Sequence, residues 1–256
     1  MTTAVETPPT SISTADRLRL IVQPILVLIV AAAVIFWAFN RDLTATQKVN
    51  INAGNVSTLL WQHLLITITV ATIVVIAGVP LGILVTRGHA RFLRPPLIGV
   101  ANIGQAAPAV GLLVLLFLWT GETGFWIGVL PIAVYSLLPV FSSTILGIDQ
   151  VDKSLIDAGQ GQGMSGSSIL FRVELPLAVP YILAGLRTSL VLAVGTATLC
   201  FLVNAGGLGV LIDTGYKLRD NVTLVLGSVL AVCLALLVDW VGALAEYYLG
   251  PKGVRG

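Results

Sequence analysis

The chain has 256 residues, of which 56% are hydrophobic and only 10% are charged, and its mean hydropathy is +0.97. Soluble domains contain roughly a quarter charged residues, so this composition excludes an ordinary soluble protein and predicts an integral membrane protein. The net charge of +2 gives no reason to expect a nucleic-acid partner. Both cysteines, Cys200 and Cys233, lie within apolar runs and are expected to be buried thiols without a disulfide.

The amino-terminal residues 1–16 are rich in Thr, Ser and Pro and are predicted to form a flexible cytoplasmic tail. Residues 17–62 are predicted to hold a first transmembrane helix and a periplasmic segment. This helix covers the apolar run 20–39, which would be about 30 Å long and would match the thickness of a bilayer core. A cleaved signal peptide is the alternative, but its apolar region is usually only about 7–15 residues long.

Five further apolar runs are long enough to cross a membrane, namely residues 64–85, 97–120, 125–148, 177–203 and 222–249. Lipid offers no hydrogen-bond partners and the runs are too long for the strands of a membrane barrel, so each is predicted to be helical. The expected fold is an all-α integral membrane protein with six transmembrane helices, in which an added first helix precedes a five-helix core. The core domain is expected to cover residues 63–249, followed by a cytoplasmic tail over residues 250–256.

Basic residues beside the spans predict the orientation, because cytoplasmic loops carry an excess of Lys and Arg. With both termini in the cytoplasm, nine basic residues lie inside and four outside. The inside residues are Arg17, Arg19, Arg87, Arg91, Arg94, Lys153, Arg172, Lys252 and Arg255. The outside residues are Arg41, Lys48, Lys217 and Arg219. The polar segment 149–176, called the coupling segment below, then faces the cytoplasm.

Two short apolar patches in the coupling segment are separated by a glycine-rich turn, which predicts two short helices that meet at an angle. Its residues resemble the E-A-A…G…I-x-L-P signature of ABC-importer permeases at every spacing. The matching residues are Asp157, Ala158, Gly159, Gly163, Val173, Leu175 and Pro176. Asp157, Gly159 and Val173 depart from the signature, and Gly159 is expected to weaken the first helix by about 1 kcal/mol relative to Ala. The resemblance implies that this segment enters a cleft of a cytoplasmic ATPase and transmits its closure.

The flanking helices, from about His63 to Trp240, are similar to permeases of the quaternary-ammonium osmoprotectant importers, the glycine betaine, carnitine and choline group. The segments that carry this likeness are residues 63–87, 102–113, 135–148 and 184–209. The resemblance implies the type I importer fold, a bacterial plasma (inner) membrane, a second permease subunit, alike or different, and a periplasmic or lipid-anchored solute-binding protein. The chain lacks G-x-x-x-x-G-K-[ST], so ATP and Mg²⁺ would be bound by the partner ATPase, and no cofactor or catalytic residue is expected here.

Polar residues within two spans are candidates for lining the solute pathway. Buried amides in hydrocarbon need partners or a wet cavity, so both a pathway role and interhelical hydrogen bonding are open for the first set. This set is Asn102, Gln105 and Pro108. The second set breaks the fifth span near its outer end, as a mobile periplasmic element or a simple turn. It comprises Asn204, Gly206, Gly207 and Gly209.

Arg187 lies inside the fifth span, where it must find a partner or reach the interface, and the latter is favoured by its long side chain. Asp239 and Glu246 are expected to be interfacial. His63 and His89 lie at span edges, so no metal site is expected.

Three alternatives stay open at this point. Importers of methionine, phosphonates or aliphatic sulfonates share the same loop signature. An ion-coupled secondary transporter would favour paired intramembrane carboxylates or two related halves. A membrane enzyme would need clustered His, Asp or Glu at one membrane depth.

Overall fold

A computed structural model describes residues 14–249, so the predicted tails lie outside it except for residues 14–16. Within this range the chain is helical and contains no strand. The α-helices are α1 (Thr14–Phe39), α2 (Ala45–Asn50), α3 (Ala53–Thr86), α4 (Arg94–Ala106), α5 (Ala109–Thr120), α6 (Phe125–Asp149), α7 (Lys153–Gly161), α8 (Gly166–Ile169), α9 (Leu175–Ala197), α10 (Gly209–Lys217) and α11 (Asn221–Leu249). Gly88–Leu93 and Thr198–Val203 are 3₁₀ turns, and Leu170–Glu174 is a π-helical turn.

The centre of the bundle is α6, which packs against α3, α4, α5 and α9. Small residues let these helices approach closely, as is usual where lipid provides no hydrophobic drive between helices. A Cβ atom added at Gly185 in α9 would lie 2.6 Å from the Pro139 carbonyl oxygen of α6. A Cβ added at Gly82 in α3 would lie 2.7 Å from Thr144 Cβ on the other side of α6. The core of the domain is therefore a close-packed layer of α3, α6 and α9.

The first helix lies at the edge of the bundle. Helix α1 packs mainly on α11, which in turn packs on α9 and α10. The indole Nε1 of Trp240 in α11 donates a hydrogen bond of 2.7 Å to the carbonyl oxygen of Leu20 in α1. This peripheral position agrees with the prediction of an added helix beside a five-helix core.

Within the described part of the chain, five helices are long and apolar enough to cross a membrane, which confirms the all-α membrane class. The third predicted span, residues 97–120, is a bent pair of helices and not one continuous helix. Helices α4 and α5 meet at a bend of 96°, and the pair counts as a sixth span only if taken together. The cause is Pro108, which has no N–H and disfavours helical geometry at the residue before it. Ala107 accordingly has an extended conformation with φ −66° and ψ 139°.

A short polar contact joins α2 to the start of α11. The Gln47 side chain donates a 2.8 Å hydrogen bond to Asp220, which lies immediately before α11. Asp220 also accepts hydrogen bonds from the Val222 N–H and the Thr223 hydroxyl, as an N-terminal capping residue does. Burial alone would raise the pKa of Asp220, but the bonds from Thr223, Gln47 and Val222 lower it below the usual value.

Candidate coupling segment and solute pathway

The coupling segment contains two short helices, α7 and α8, as the sequence predicted. The Asp152 carboxylate caps α7 by accepting a 2.9 Å hydrogen bond from the Ser154 N–H, and this bond lowers the pKa of Asp152. The Ser165 hydroxyl caps α8 by accepting from the Ser168 N–H at 3.3 Å. Each helix therefore has its own start signal, and the residues between them form a defined turn.

The turn after α7 depends on Gly163, which has a φ of +78°. Its N–H donates to the Gln160 carbonyl at 2.9 Å, and the Met164 N–H donates to the Gly159 carbonyl at 3.0 Å. This pair of bonds is the Schellman motif, which needs a left-handed residue just past the helix end. A Cβ atom added at Gly163 would meet nothing within 4 Å, so the glycine is required by the backbone and not by crowding within the chain.

The motif residues divide between the inside and the surface of the coupling segment. Asp157, Ala158, Gly163 and Pro176 are exposed, Val173 and Leu175 are half-buried, and Gly159 is buried. Two large apolar side chains on the same segment are also open, Leu155 at 46% and Phe171 at 64% exposure. The segment therefore presents polar and apolar groups together on its surface.

Close packing against α8 explains why position 159 favours a residue without a side chain. A Cβ atom at this position would lie 3.3 Å from Cγ1 of Ile169, the buried last residue of α8. This is closer than an ordinary van der Waals contact, so alanine, the residue of the family signature, would push against α8. The departure from the signature at Gly159 thus accompanies close packing of the two short helices.

Two ion pairs hold the ends of the coupling segment. Arg87, at the end of α3, pairs through Nη2 with Oε2 of Glu174, which is only 6% exposed. Arg94, the first residue of α4, pairs through Nη1 with Oδ2 of Asp149 at 2.7 Å. None of these four residues is a site residue that the sequence predicts. The motif leaves the Glu174 position unspecified, and the pairs join residues far apart in the chain.

The first set of pathway candidates lies beside the bend between α4 and α5. Asn102 is exposed and Gln105 is half-buried on the last turns of α4, and Pro108 forms the bend itself. The side chains of Asn102 and Gln105 form no hydrogen bond with any other residue that the structure describes. Hydrogen bonding between helices of this one chain is therefore not supported for them, and the pathway role stays a prediction.

The second set forms a left-handed turn between α9 and α10. Asn204, Gly206 and Gly207 have φ angles of 55°, 83° and 88°. A Cβ atom at Gly206 would overlap the amide of Gln62, and one at Gly209 would overlap the Thr198 carbonyl. We call residues 204–209 the glycine turn. It lies against α3, the preceding 3₁₀ turn and α6, where a Cβ atom added at Gly128 would lie 2.9 Å from Ala205 Cβ.

Two neighbouring side chains of α3 hold the glycine turn. Gln62 Oε1 accepts a 3.2 Å hydrogen bond from the Gly207 N–H. His63 Nδ1 accepts a 3.2 Å bond from the Leu208 N–H, and His63 Nε2 lies 3.0 Å from the Val194 carbonyl oxygen in α9. A carbonyl can only accept, so Nε2 carries the proton and the imidazole is neutral in this arrangement.

His63 is not an exposed residue at the end of a helix. It is ten residues into α3 and fully buried. Sequence reasoning missed it because a single histidine beside an apolar run looks like an interfacial residue, and only its two distant partners reveal its role. The other histidine, His89, has a side chain outside the described part of the structure.

Arg187 is paired, which contradicts the favoured prediction that it reaches the interface alone. Its Nε and Nη2 donate to the two carboxylate oxygens of Asp239 at 2.6 and 2.8 Å, and its Nη1 lies 3.3 Å from Glu246. Gln23 of α1 also donates to Asp239 at 3.5 Å. Asp239 and Glu246 are therefore partners of a charge within the bundle and not merely interfacial residues. These groups border a cleft of about 570 Å³ between α9 and α11.

Within residues 14–249 no group of three or more His, Cys, Asp and Glu side chains is placed to hold a metal ion. The thiols of Cys200 and Cys233 are free and buried, as predicted.

The chain is similar to a known protein family and to several of its members. The family described as binding-protein-dependent transport system inner membrane component matches residues 78–252. The chain is 35% identical to osmoprotectant import permease protein OsmW of Salmonella typhimurium, over 80% of this chain and 96% of that protein. It is 34% identical to carnitine transport permease protein OpuCB of Listeria monocytogenes, over 80% and 92% of the two chains. It is also 34% identical to choline transport system permease protein OpuBB of Bacillus subtilis, over 82% and 95%.

A solved structure of the MetNI methionine ABC transporter, in an inward-facing conformation, is similar in fold. The TM-score is 0.66 at 22% identity, over 77% of this chain and 96% of that chain. The fold, the bundle of apolar helices and the family match over most of the chain agree with one another. The chain belongs to the family of inner membrane components of binding-protein-dependent transport systems.

Proposed function

We propose that this chain is the permease subunit of an ATP-driven importer for a compatible solute such as glycine betaine, choline or carnitine. The relatives named for osmoprotectant, carnitine and choline transport support this class, because each matches about four-fifths of the chain at 34–35% identity. The methionine transporter is similar at 22% identity, which concerns the fold alone. Import of methionine, a sulfonate or a phosphonate is therefore the less supported alternative.

The coupling segment is proposed to bind a cytoplasmic ATPase. The observation that carries this proposal is the pair of separately capped helices, α7 and α8, joined through the left-handed Gly163. The exposed Leu155 and Phe171 would be covered by the partner, since exposed apolar groups on a cytoplasmic surface often mark protein contacts. ATP and Mg²⁺ would be bound by that partner, and this subunit would change no covalent bond.

The orientation follows from the same proposal. The ATPase binds from the cytoplasm, so α7 and α8 lie inside, and both termini of the chain are then cytoplasmic. A second permease subunit, identical or different, and a periplasmic or lipid-anchored binding protein complete the complex in the bacterial inner membrane. The added first helix, at the edge of the bundle, faces lipid on its outer side.

The solute pathway is proposed to pass the bend between α4 and α5 and the glycine turn. Asn102 and Gln105 contribute amides that have no hydrogen-bond partner among the described residues. Asn204, Gly206, Gly207 and Gly209 form a turn whose backbone is fixed on α3 by Gln62 and His63. This turn acts as a fixed part of the pathway wall, whereas the bend at Pro108 interrupts a helix and exposes polar groups.

A competition-uptake panel tests the substrate class. The complete complex is expressed in cells that lack their own systems, and uptake of radiolabelled glycine betaine is measured with unlabelled competitors. Choline, carnitine and proline betaine are expected to compete, while methionine and taurine are not. Competition by methionine or taurine alone would reject the proposed substrate class. Uptake in vesicles that requires ATP and resists an uncoupler separates this mechanism from ion-coupled transport.

A further inference from the structure

Both ends of the coupling segment are joined by ion pairs to one short link between α3 and α4. We call residues 87–94 the α3–α4 link. Its first residue, Arg87, pairs with Glu174 near the end of the coupling segment, and its last residue, Arg94, pairs with Asp149 at the start. Between Arg87 and Arg94 the link is one continuous 3₁₀ helix, Gly88–Leu93, so it is short and has little freedom. Both ends of the coupling segment are thus attached to the same short link.

Glu174 is the stronger of the two attachment points. It is the one buried carboxylate among the side chains that the structure describes, and a buried charge is stable only when it is paired. The backbone around it is a π-helical turn in which the Leu175 N–H donates to the Leu170 carbonyl. Such turns shift the direction of side chains along a helix and often occur at functional sites. The Arg94–Asp149 pair is more open, with side-chain exposures of 29% and 39%, and contributes less.

The two helices held by the link carry the pathway candidates. Helix α3 bears Gln62 and His63, which hold the glycine turn. Helix α4 bears Asn102 and Gln105 and ends at the bend before Pro108. A movement of the coupling segment would therefore displace α3 and α4 through Arg87, and with them both sets of pathway residues.

We propose that Arg87 and Glu174 are positioning residues of the transport cycle, which transmit the displacement of the coupling segment to α3 and α4. This inference rests on the proposed function, because it requires an ATPase that moves the segment. It goes beyond the signature of the family, which leaves the Glu174 position unspecified. Without the pair, the coupling segment moves but α3 and α4 do not follow it fully, so ATP hydrolysis becomes separated from solute movement.

The test measures solute imported per ATP hydrolysed by the complete complex in liposomes. We expect R87Q and E174Q to lower this ratio by about tenfold, which corresponds to a coupling energy in the range found for contacting residues. R91Q is the matched control, since Arg91 is an exposed arginine of the same link with no ion pair among the described residues. It removes the same charge and should leave the ratio unchanged.

Two further variants distinguish a loss of coupling between the coupling segment and α3 and α4 from a loss of folding. R87K should keep the ratio near that of the wild type, because Arg87 contacts Glu174 through Nη2 alone and its Nε is buried without a partner. The double variant R87Q/E174Q leaves no unpaired charge in the bundle, so it should assemble, and we expect it to be as poorly coupled as the single variants. A normal ratio in the double variant, or equal ratios in R87K and R87Q, would overturn the proposal. Absence of ATP-dependent uptake by the wild type would instead reject the proposed function.

Discussion

Substitution of Gly163 tests whether the backbone of the coupling segment or its surface determines transport. The residue has a φ of +78° and open space around its absent Cβ. Alanine in this left-handed conformation costs about 1–2 kcal/mol, asparagine costs less because it tolerates the conformation, and a β-branched residue costs more. The substitutions Asn, Ala and Val therefore form a graded series of strain.

The strain acts on the turn that joins α7 and α8. To relieve it, the chain must give up the Gly163–Gln160 and Met164–Gly159 hydrogen bonds of 2.9 and 3.0 Å. Each 1.4 kcal/mol lowers the population of the native turn relative to the relaxed one by about tenfold. We expect ATP-dependent uptake to fall in the order wild type, Asn, Ala and Val, with the Val variant nearly inactive although it still inserts in the membrane.

The assay is initial-rate uptake by the complete complex, normalised to the amount of permease in the membrane. Gly161→Ala is the matched control, since Gly161 is the last residue of α7, two positions before Gly163, has open space for a Cβ atom and does not have a positive φ. This variant should be active and could stabilise α7 by up to about 1 kcal/mol. An Asn variant as inactive as the Val variant would show that bulk at the ATPase contact matters and not the backbone. A fully active Val variant would refute both explanations.

Three other predictions concern stability, measured as thermal unfolding of the purified protein in detergent. His63→Ala should lower the free energy of unfolding by about 1–3 kcal/mol, because the buried Leu208 N–H loses its acceptor. An unchanged melting temperature would contradict this. Arg187→Gln should lower the free energy of unfolding by about 3 kcal/mol, since Asp239 loses two hydrogen bonds. An unchanged melting temperature would mean that water replaces the lost hydrogen bonds. Asp220→Asn should destabilise the protein at pH 7. The lowered pKa of Asp220 means that its stabilisation is present above the unfolded-state pKa, about 3.9, and is lost as the pH falls through the folded-state pKa. The difference from the wild type should therefore begin to shrink as the pH falls below about 3.9 and should disappear only below the lower folded-state pKa, and a difference that does not shrink over this range would refute this assignment.

Much of the coupling segment could be predicted from sequence because its signals are local. Helix caps, a glycine in a left-handed turn and the Leu-Pro pair act within a few residues, so their spacing survives in the sequence. Asp152 and Ser165 cap the two helices, and Gly163 ends the first. The same reasoning could not find Arg87 or Glu174, since nothing near Glu174 in the sequence tells which of several arginines it meets.

The contacts that the sequence does not reveal share one cause, which is that the partners lie far away in the sequence. The sequence favours an Arg187 that reaches the interface because its partners, Asp239 and Glu246, are more than fifty positions away. The sequence gives no sign that His63 is buried because its bonds to Val194 and Leu208 bridge over 130 positions. Hydropathy predicts whether a segment lies in lipid or in water, but it does not predict which polar side chains contact each other inside the bundle.

By itself the sequence determined that this protein is an all-α membrane permease with a two-helix coupling segment. Long apolar runs must satisfy their own backbone in lipid, and turn residues act locally, so both are readable without a fold. Only the tertiary structure decided that α4 and α5 meet at 96° and that the glycine turn is held by His63. It also decided that Arg87 and Arg94 attach both ends of the coupling segment to one link. These features depend on the packing of distant helices, because a buried charge or N–H is stable only where a partner is brought to it.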